Sequence, residues 1–240
     1  MSDRPQSLSP PQIFLLEAQA YGIAFDPGDL ERLGLFLELL LAANARFNLT
    51  AITDPAEAWM KHVFDSLTLM PCLEAAEANL VIDVGSGGGL PGVPLAIAEP
   101  AVRFVLLEAT GKKAEFLRQA VEVLALENAE VVNERAETIG QDRQHHREHY
   151  DAVIARAVGK LAVVLELTVS LARVGGHVLT IKGAQAGKEI EEAGRALRVL
   201  HCEIVHTART PTGTILVIEK RRPTGMLYPR RPGEPKRAPL

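Results

Sequence analysis

With 240 residues, 47% hydrophobic and 23% charged, the chain can bury one substantial core, so a single domain with an appendage is expected. The longest apolar stretch, residues 33–43, contains Glu38 and is too short to cross a bilayer, and residues 1–5 show no basic region leading into an apolar core; neither a membrane span nor a signal peptide is expected. Cys72 and Cys202 stand far apart, outside any Cys-x-x-Cys spacing, which suits buried thiols in a reducing compartment and a cytoplasmic protein. The net charge of −4 hides an asymmetry: residues 220–240 carry seven Lys and Arg against Glu234 alone, which leaves −10 on the rest.

In chain order, residues 1–75 read as a helical extension. Ser9-Pro10-Pro11, Asp26-Pro27-Gly28-Asp29 and Asp54-Pro55-Ala56-Glu57 each resemble a cap followed by first-turn prolines, ahead of apolar helical runs. From Leu80 onward strand and helix patterns alternate. Strands are expected at 80–84, 103–108, 130–133, 151–155, 177–181, 202–207 and 214–219, and helices at 93–98, 112–126, 161–173 and 188–200. Such alternation implies right-handed crossovers and a parallel sheet whose site lies at the strand C-termini. The connection Arg209-Thr210-Pro211-Thr212-Gly213 is too short for a crossover helix, so the last two strands form an antiparallel hairpin. Residues 76–220 thus form one α/β domain. Residues 221–240 form a basic, proline-broken tail that suits either a polyanion contact or a solvated terminus.

The most specific segment runs Val81-Ile82-Asp83-Val84-Gly85-Ser86-Gly87-Gly88-Gly89-Leu90-Pro91-Gly92: a buried strand, a tight turn and a helix start. Gly87-x-Gly89-x-x-Gly92 satisfies the dinucleotide pattern, a weak signal alone. From Asp83, the same residues give Asp-x-Gly-x-Gly-x-Gly, the pattern of the S-adenosylmethionine loop in Rossmann-like methyltransferases. The Asp83 carboxylate suits a sulfonium ligand and repels a pyrophosphate. An NAD(P)-dependent oxidoreductase is the less favoured alternative, and a non-catalytic RNA-binding assembly factor is another.

Glu108 ends the second strand, where an acid commonly accepts from ribose hydroxyls; it equally suits a helix cap ahead of Thr110. Ala136-Glu137 follows the third strand, where adenine contacts are usual. Arg156 emerges from an apolar strand beside the loop and so points to a ligand. Lys182-Gly183 ends the fifth strand, where a cation suits a phosphate or a base, although lysine also snorkels. His62 and Asp65 share a helix face and, with Asn48, suit a substrate mouth or a local hydrogen-bonded pair. His145, His146 and His149 lie in a polar loop without metal-ligand spacing, so no metal is expected. Gly-x-Ser-x-Gly, Gly-Lys-Ser/Thr and His-Glu-x-x-His are absent, which disfavours hydrolase, P-loop and zincin chemistry.

Asn48-Leu49-Thr50, His62-Val63-Phe64-Asp65-Ser66, the Asp83 to Gly92 loop, Glu134-Arg135-Ala136-Glu137, Arg156-Ala157, Lys182-Gly183 and Tyr228-Pro229-Arg230-Arg231-Pro232-Gly233 occur in this order. Together they resemble the bacterial small-subunit rRNA methyltransferase G family, also called glucose-inhibited division protein B. The Gly-Gly-Leu-Pro-Gly run is the most specific of these blocks. The resemblance implies a Rossmann-like class I S-adenosylmethionine methyltransferase: a mostly parallel seven-stranded sheet ending in an antiparallel hairpin, with an N-terminal helical extension. It implies methylation of N7 of one guanosine in 16S rRNA near the decoding region. Cofactor contacts would fall on Gly85, Leu90, Glu108, Ala109, Thr110, Ala136, Glu137 and Arg156, joining Asp83, Gly87 and Gly89 from the loop. Glu108 stands where many relatives have aspartate, which changes its reach. Arg156 and Lys182 would position the reactants. His62, Lys182, Arg221, Arg222, Arg230 and Arg231 would meet RNA. A monomer acting on 16S rRNA, the small ribosomal subunit or an assembly particle is expected.

Overall fold

The computed structural model describes residues 7–240; the expectation about residues 1–5 lies outside them. The N-terminal part is helical: α1 (Gln12–Ala20), α2 (Asp29–Phe47), α3 (Pro55–Ala58), a π-helical turn (Trp59–Phe64), α4 (Asp65–Leu67) and α5 (Met70–Ala75). Only the third expected cap is made by a side chain, with Asp54 accepting from the Glu57 N–H. At α1 the N-cap is Pro11, and at α2 it is Gly28 in the left-handed region, with no side-chain cap bond at either. Asp29 instead accepts from the Asp26 N–H. The π-helical turn buries Trp59, His62, Val63 and Phe64 together. Its extra residue per turn carries His62 and Asp65 toward the same inner face.

The α/β part comprises β1 (Leu80–Val84), α6 (Gly92–Ala98), β2 (Arg103–Leu107), α7 (Gly111–Val123), β3 (Ala129–Val132), α8 (Ala136–Ile139), β4 (Tyr150–Arg156), α9 (Leu161–Thr168), β5 (Ala172–Lys182), α10 (Ala186–Glu192), α11 (Gly194–Val199), β6 (Cys202–Arg209) and β7 (Thr214–Lys220). All seven expected strands are present, in the order β3-β2-β1-β4-β5-β7-β6. The first five run parallel, while β7 is antiparallel to both β5 and β6. The hairpin expectation holds. Helix α9 is shorter than expected, because Ala172 already opens β5. Gly176 there passes so close to the carbonyls of Tyr150 and Asp151 that a Cβ would lie 3.0 and 2.9 Å from them.

The sheet separates two cores. Val81, Phe104 and Leu106 face the layer of α2, α6 and α7 with the N-terminal helices, and Ile82, Val84, Val105 and Val153 face α9 and α11. A parallel sheet covered on both faces explains the continuous apolar runs of β1, β2 and β4.

The basic tail is packed against the domain and is not a solvated terminus. Arg147, itself buried, donates to the carbonyls of Gly140, Thr224, Gly225 and Tyr228. Arg230 pairs with the fully buried Glu166 of α9 at 2.6 Å. The chain then ends in a short helix, α12 (Glu234–Arg237), lying beside α9.

Candidate active site

Two cavities open at the C-terminal ends of the parallel strands, and Gly85 lines both. The first, about 190 Å³, has apolar walls from Val84, Leu107, Ala109, Ala136, Val158, Val163 and Leu167, with Glu108 and Glu137 also on its rim. The second is larger, about 680 Å³, and more polar, with Thr50, Lys61, His62, Asp65, Gly87, Leu90, Lys113, Arg156 and Thr212 on its walls. Together they form a cleft with an apolar slot at one end and a hydrogen-bonding chamber at the other. Gly85 can bridge them because it sits at φ +75° and carries no side chain; a Cβ there would press to 3.2 Å of Val158.

The loop after β1 resembles an anion cradle in sequence but does not work as one. The N–H groups of Gly85 and Ser86 donate to the Leu107 carbonyl, and those of Gly89 and Leu90 to the Ser86 carbonyl. Gly87 N–H donates to Glu108 Oε2 at 3.0 Å, and Gly92 N–H to Asp83 Oδ2 at 3.0 Å. A pyrophosphate would need those donors free and would face the Glu108 carboxylate. The nicotinamide-dinucleotide alternative therefore does not fit. An adenosine with a cationic, phosphate-free extension does: the slot takes a flat heterocycle, and each oxygen of Glu108 keeps a lone pair beyond its bonds to Gly87 and to Thr110 N–H at 2.7 Å.

Asp83 lies behind the loop and not on the cleft wall. It is fully buried, its Oδ1 has no partner, and burial pushes its carboxyl up to about 7. Its role is structural, stapling the strand end to the first turn of α6. Gly89 is also behind the wall, and Thr110, though exposed, lines neither cavity. Gly89 packs against Val93, Phe36 and Leu117, and Thr110 serves as the N-cap residue of α7.

At the polar end Arg156 is the hub. Its guanidinium donates to Asp65 Oδ2 at 2.9 Å and to the Lys61 carbonyl at 2.9 Å, and it lies 3.5 Å from His62 Nδ1. Thr212, from the β6–β7 hairpin, donates to the other oxygen of Asp65. His62 stands 2.7 Å from the Thr50 hydroxyl through Nε2 and 3.1 Å from the Lys61 carbonyl through Nδ1. A carbonyl can only accept, which assigns the single proton to Nδ1 and makes Nε2 the acceptor from Thr50. Burial, reinforced by Arg156, lowers the His62 pKa to about 4. His62 and Asp65 thus share a face, as expected, and both meet Arg156. Asn48 ends α2 in the left-handed region and does not line the cavity.

Four expectations about RNA contacts need correction. Lys182 is buried, donating to the Gly159 carbonyl at 2.6 Å and pairing with Glu189 at 3.0 Å, so it holds the wall beside Arg156 together and has no ammonium free for a phosphate. Arg230 is likewise occupied by Glu166. Because β7 runs antiparallel to β5, with Lys182 opposite Thr214 and His177 opposite Glu219, Arg221 and Arg222 follow at the far end of the sheet from the cleft. Arg231 remains exposed in the docked tail. Besides Arg156, the cations on the wall of the polar chamber are Lys113 and Lys61, whose exposed ammonium pairs with Glu57 at 2.6 Å; Arg209 lies opposite Thr214 near the hairpin end. Their signal in the sequence was weak, since each is one charge among others in an ordinary polar or amphipathic segment. Glu137 accepts from the Gly233 N–H of the tail at 2.7 Å.

Of the histidine cluster, His145 bonds Asp142 and His146 bonds the Tyr150 hydroxyl. Among the described residues no three His, Cys, Asp or Glu side chains are placed to hold a metal ion. No helix among them is long and apolar enough to cross a membrane. Cys202 is buried, its thiol pushed up to about 12 by burial, and Cys72 is half-buried; both are free.

The sheet order, with the glycine loop closing its first strand, defines a class I methyltransferase fold. An O-methyltransferase from Bacillus cereus, solved in complex with SAH, has the same fold, with a TM-score of 0.59 at 18% identity, covering 86% of this chain and 97% of that one. Residues 29–214 match the family described as rRNA small subunit methyltransferase G. Ribosomal RNA small subunit methyltransferase G of Sorangium cellulosum is 46% identical, covering 89% of each chain. Its counterpart in Chloroflexus aggregans is 43% identical over 92% of this chain and 94% of the relative. The chain belongs to the rRNA small subunit methyltransferase G family.

Proposed function

We propose that this protein transfers the methyl group of S-adenosylmethionine to N7 of a guanosine in 16S rRNA, acting in the cytoplasm as a monomer on the small subunit or an assembly particle. The observation that carries the reading is the two-ended cleft, an apolar slot joined at Gly85 to a chamber organised by Arg156. Gly85, Gly87, Leu90, Glu108, Ala109, Ala136 and Glu137 would hold the cofactor, with Asp83 supporting the loop from behind. The division into a helical extension (1–75), a methyltransferase domain (76–220) and a tail (221–240) follows from the same reading.

The cofactor supplies an electrophilic methyl group on sulfur. N7 of guanine offers an unprotonated lone pair, so the protein need not remove a proton before transfer. The chamber matches that requirement: His62 is neutral at physiological pH, and both of its nitrogens are already bonded. Its task is to hold the loop bearing Thr50 against the π turn. Arg156, fixed by Asp65 and Lys61, is placed to orient the base. Lys61, Lys113 and Arg209 would meet RNA phosphates at the rim.

The test is tritium transfer from labelled S-adenosylmethionine to 16S rRNA, offered naked and as subunits from a strain lacking the enzyme. Incorporation into one fragment cleavable at 7-methylguanosine is expected. Cofactor binding without incorporation into either substrate would overturn the RNA assignment and leave the fold intact.

A further inference from the structure

Part of the cofactor slot is built by the tail. Gly233, Pro235 and Lys236 line the apolar cavity opposite Val84, Leu107 and Ala136, although nearly a hundred residues separate them from α8. Pro235 is buried. Gly233 takes φ +82° and aims its N–H at Glu137, 2.7 Å away. Glu137 is itself buried. Upstream, Arg230 is clamped on Glu166 through two side-chain bonds and its backbone N–H, which leads the turn back over the slot. Local helix propensity cannot account for this docking, because α12 is one turn long with a proline at its start.

We propose that the turn at residues 232–237 forms the outer wall of the adenosine end of the cofactor site, with Gly233 as a positioning residue that fixes the Glu137 carboxylate. The proposal rests on the S-adenosylmethionine reading and assigns the basic tail to cofactor binding instead of RNA binding. A bound nucleoside would be covered on one side by Val158, Val163 and Leu167 and on the other by Pro235 and the Lys236 stem. Only part of the tail's charge then faces solvent.

The experiment measures S-adenosylhomocysteine affinity by calorimetry for the full chain and for Gly233→Pro, which deletes the N–H and cannot adopt the positive φ, while leaving the Arg230–Glu166 clamp in place. Affinity should fall about tenfold, the effect of losing the charge-assisted hydrogen bond that holds the Glu137 carboxylate in place. In turnover assays KM for S-adenosylmethionine should rise by the same factor, with KM for RNA and kcat at saturation unchanged. A purely structural role would move all three together. A second measurement covers a variant that fails to fold: trypsin cleavage after Lys236 and Arg237 of the unaltered protein should slow about fivefold with saturating S-adenosylhomocysteine or adenosine, and not with methionine. Unchanged affinity in the variant, or cleavage indifferent to adenosine, overturns the proposal while the cofactor reading survives. Absence of S-adenosylhomocysteine binding by the unaltered protein overturns both.

Discussion

Two buried titratable side chains in the cleft region pull stability in opposite directions as pH changes. Asp83, pushed up to about 7 by burial, is more readily protonated folded than unfolded. It therefore favours the fold at low pH, and that contribution is lost as pH rises from about 4 through 7. His62, lowered to about 4, is the reverse: the unfolded chain binds the proton more readily, so stability is lost as pH falls from 6.5 through 4. The two contributions largely offset each other in their shared window. Asp83→Asn removes the first and leaves the second. Urea midpoints of the variant should climb from pH 4.5 to 7.5, gaining about 3 kcal/mol relative to the unaltered protein over that span. Parallel curves for the two proteins would mean that Asp83 is ionised throughout.

Among the elements, the β1–α6 corner shows how tightly the loop is held by its neighbours. A Cβ on Gly92 would collide with Leu106 and lie 2.7 Å from Asp83 Oδ2, whereas one on Gly88 would press only on the tip of Leu40, at 2.7 Å, and touch Leu49 at an ordinary 3.4 Å. Gly92→Ala should thus cost about 1–3 kcal/mol in denaturant unfolding and weaken cofactor binding, and Gly88→Ala should cost less, because a leucine terminus can turn aside. Equal effects would show that the corner yields as a whole. The strands and the terminal hairpin were legible in the sequence because parallel strands buried on both faces leave continuous apolar runs, and five residues cannot contain a crossover. Glu108, Ala136, Glu137 and Arg156 were legible because strand ends are where this topology puts ligands. The tail was not, since proline and charge look alike in a docked and in a solvated segment. One clue was available: Glu166 sits in the apolar run of α9 and is fully buried, and such a carboxylate requires a cation from elsewhere in the chain. The π-helical turn, which buries Trp59, His62, Val63 and Phe64, left no sequence signal.

At the scale of the whole molecule, an acidic protein must bind a polyanion through a confined patch. With −10 on residues 1–219 and a tail whose arginines are partly engaged, RNA affinity should depend on few phosphate contacts. The slope of log K against log salt should be shallow, and Lys113→Ala should reduce it by about 0.7, one contact on a single strand. A variant with an unchanged slope would place the RNA elsewhere on the surface. The occupied amides of the glycine loop bear on competition in the cell. ATP carries the same adenosine as S-adenosylmethionine and far outnumbers most cofactors, so a slot that recognised adenosine alone would be blocked most of the time. Here the triphosphate would meet a Gly87 N–H already held by Glu108 and a Gly92 N–H already held by Asp83, and would lie against the Glu108 carboxylate. The loop acts as a filter: with the amides of Gly85, Ser86, Gly87, Gly89 and Leu90 already engaged, it offers phosphate few donors and leaves the site to the scarcer molecule that carries a positive charge instead.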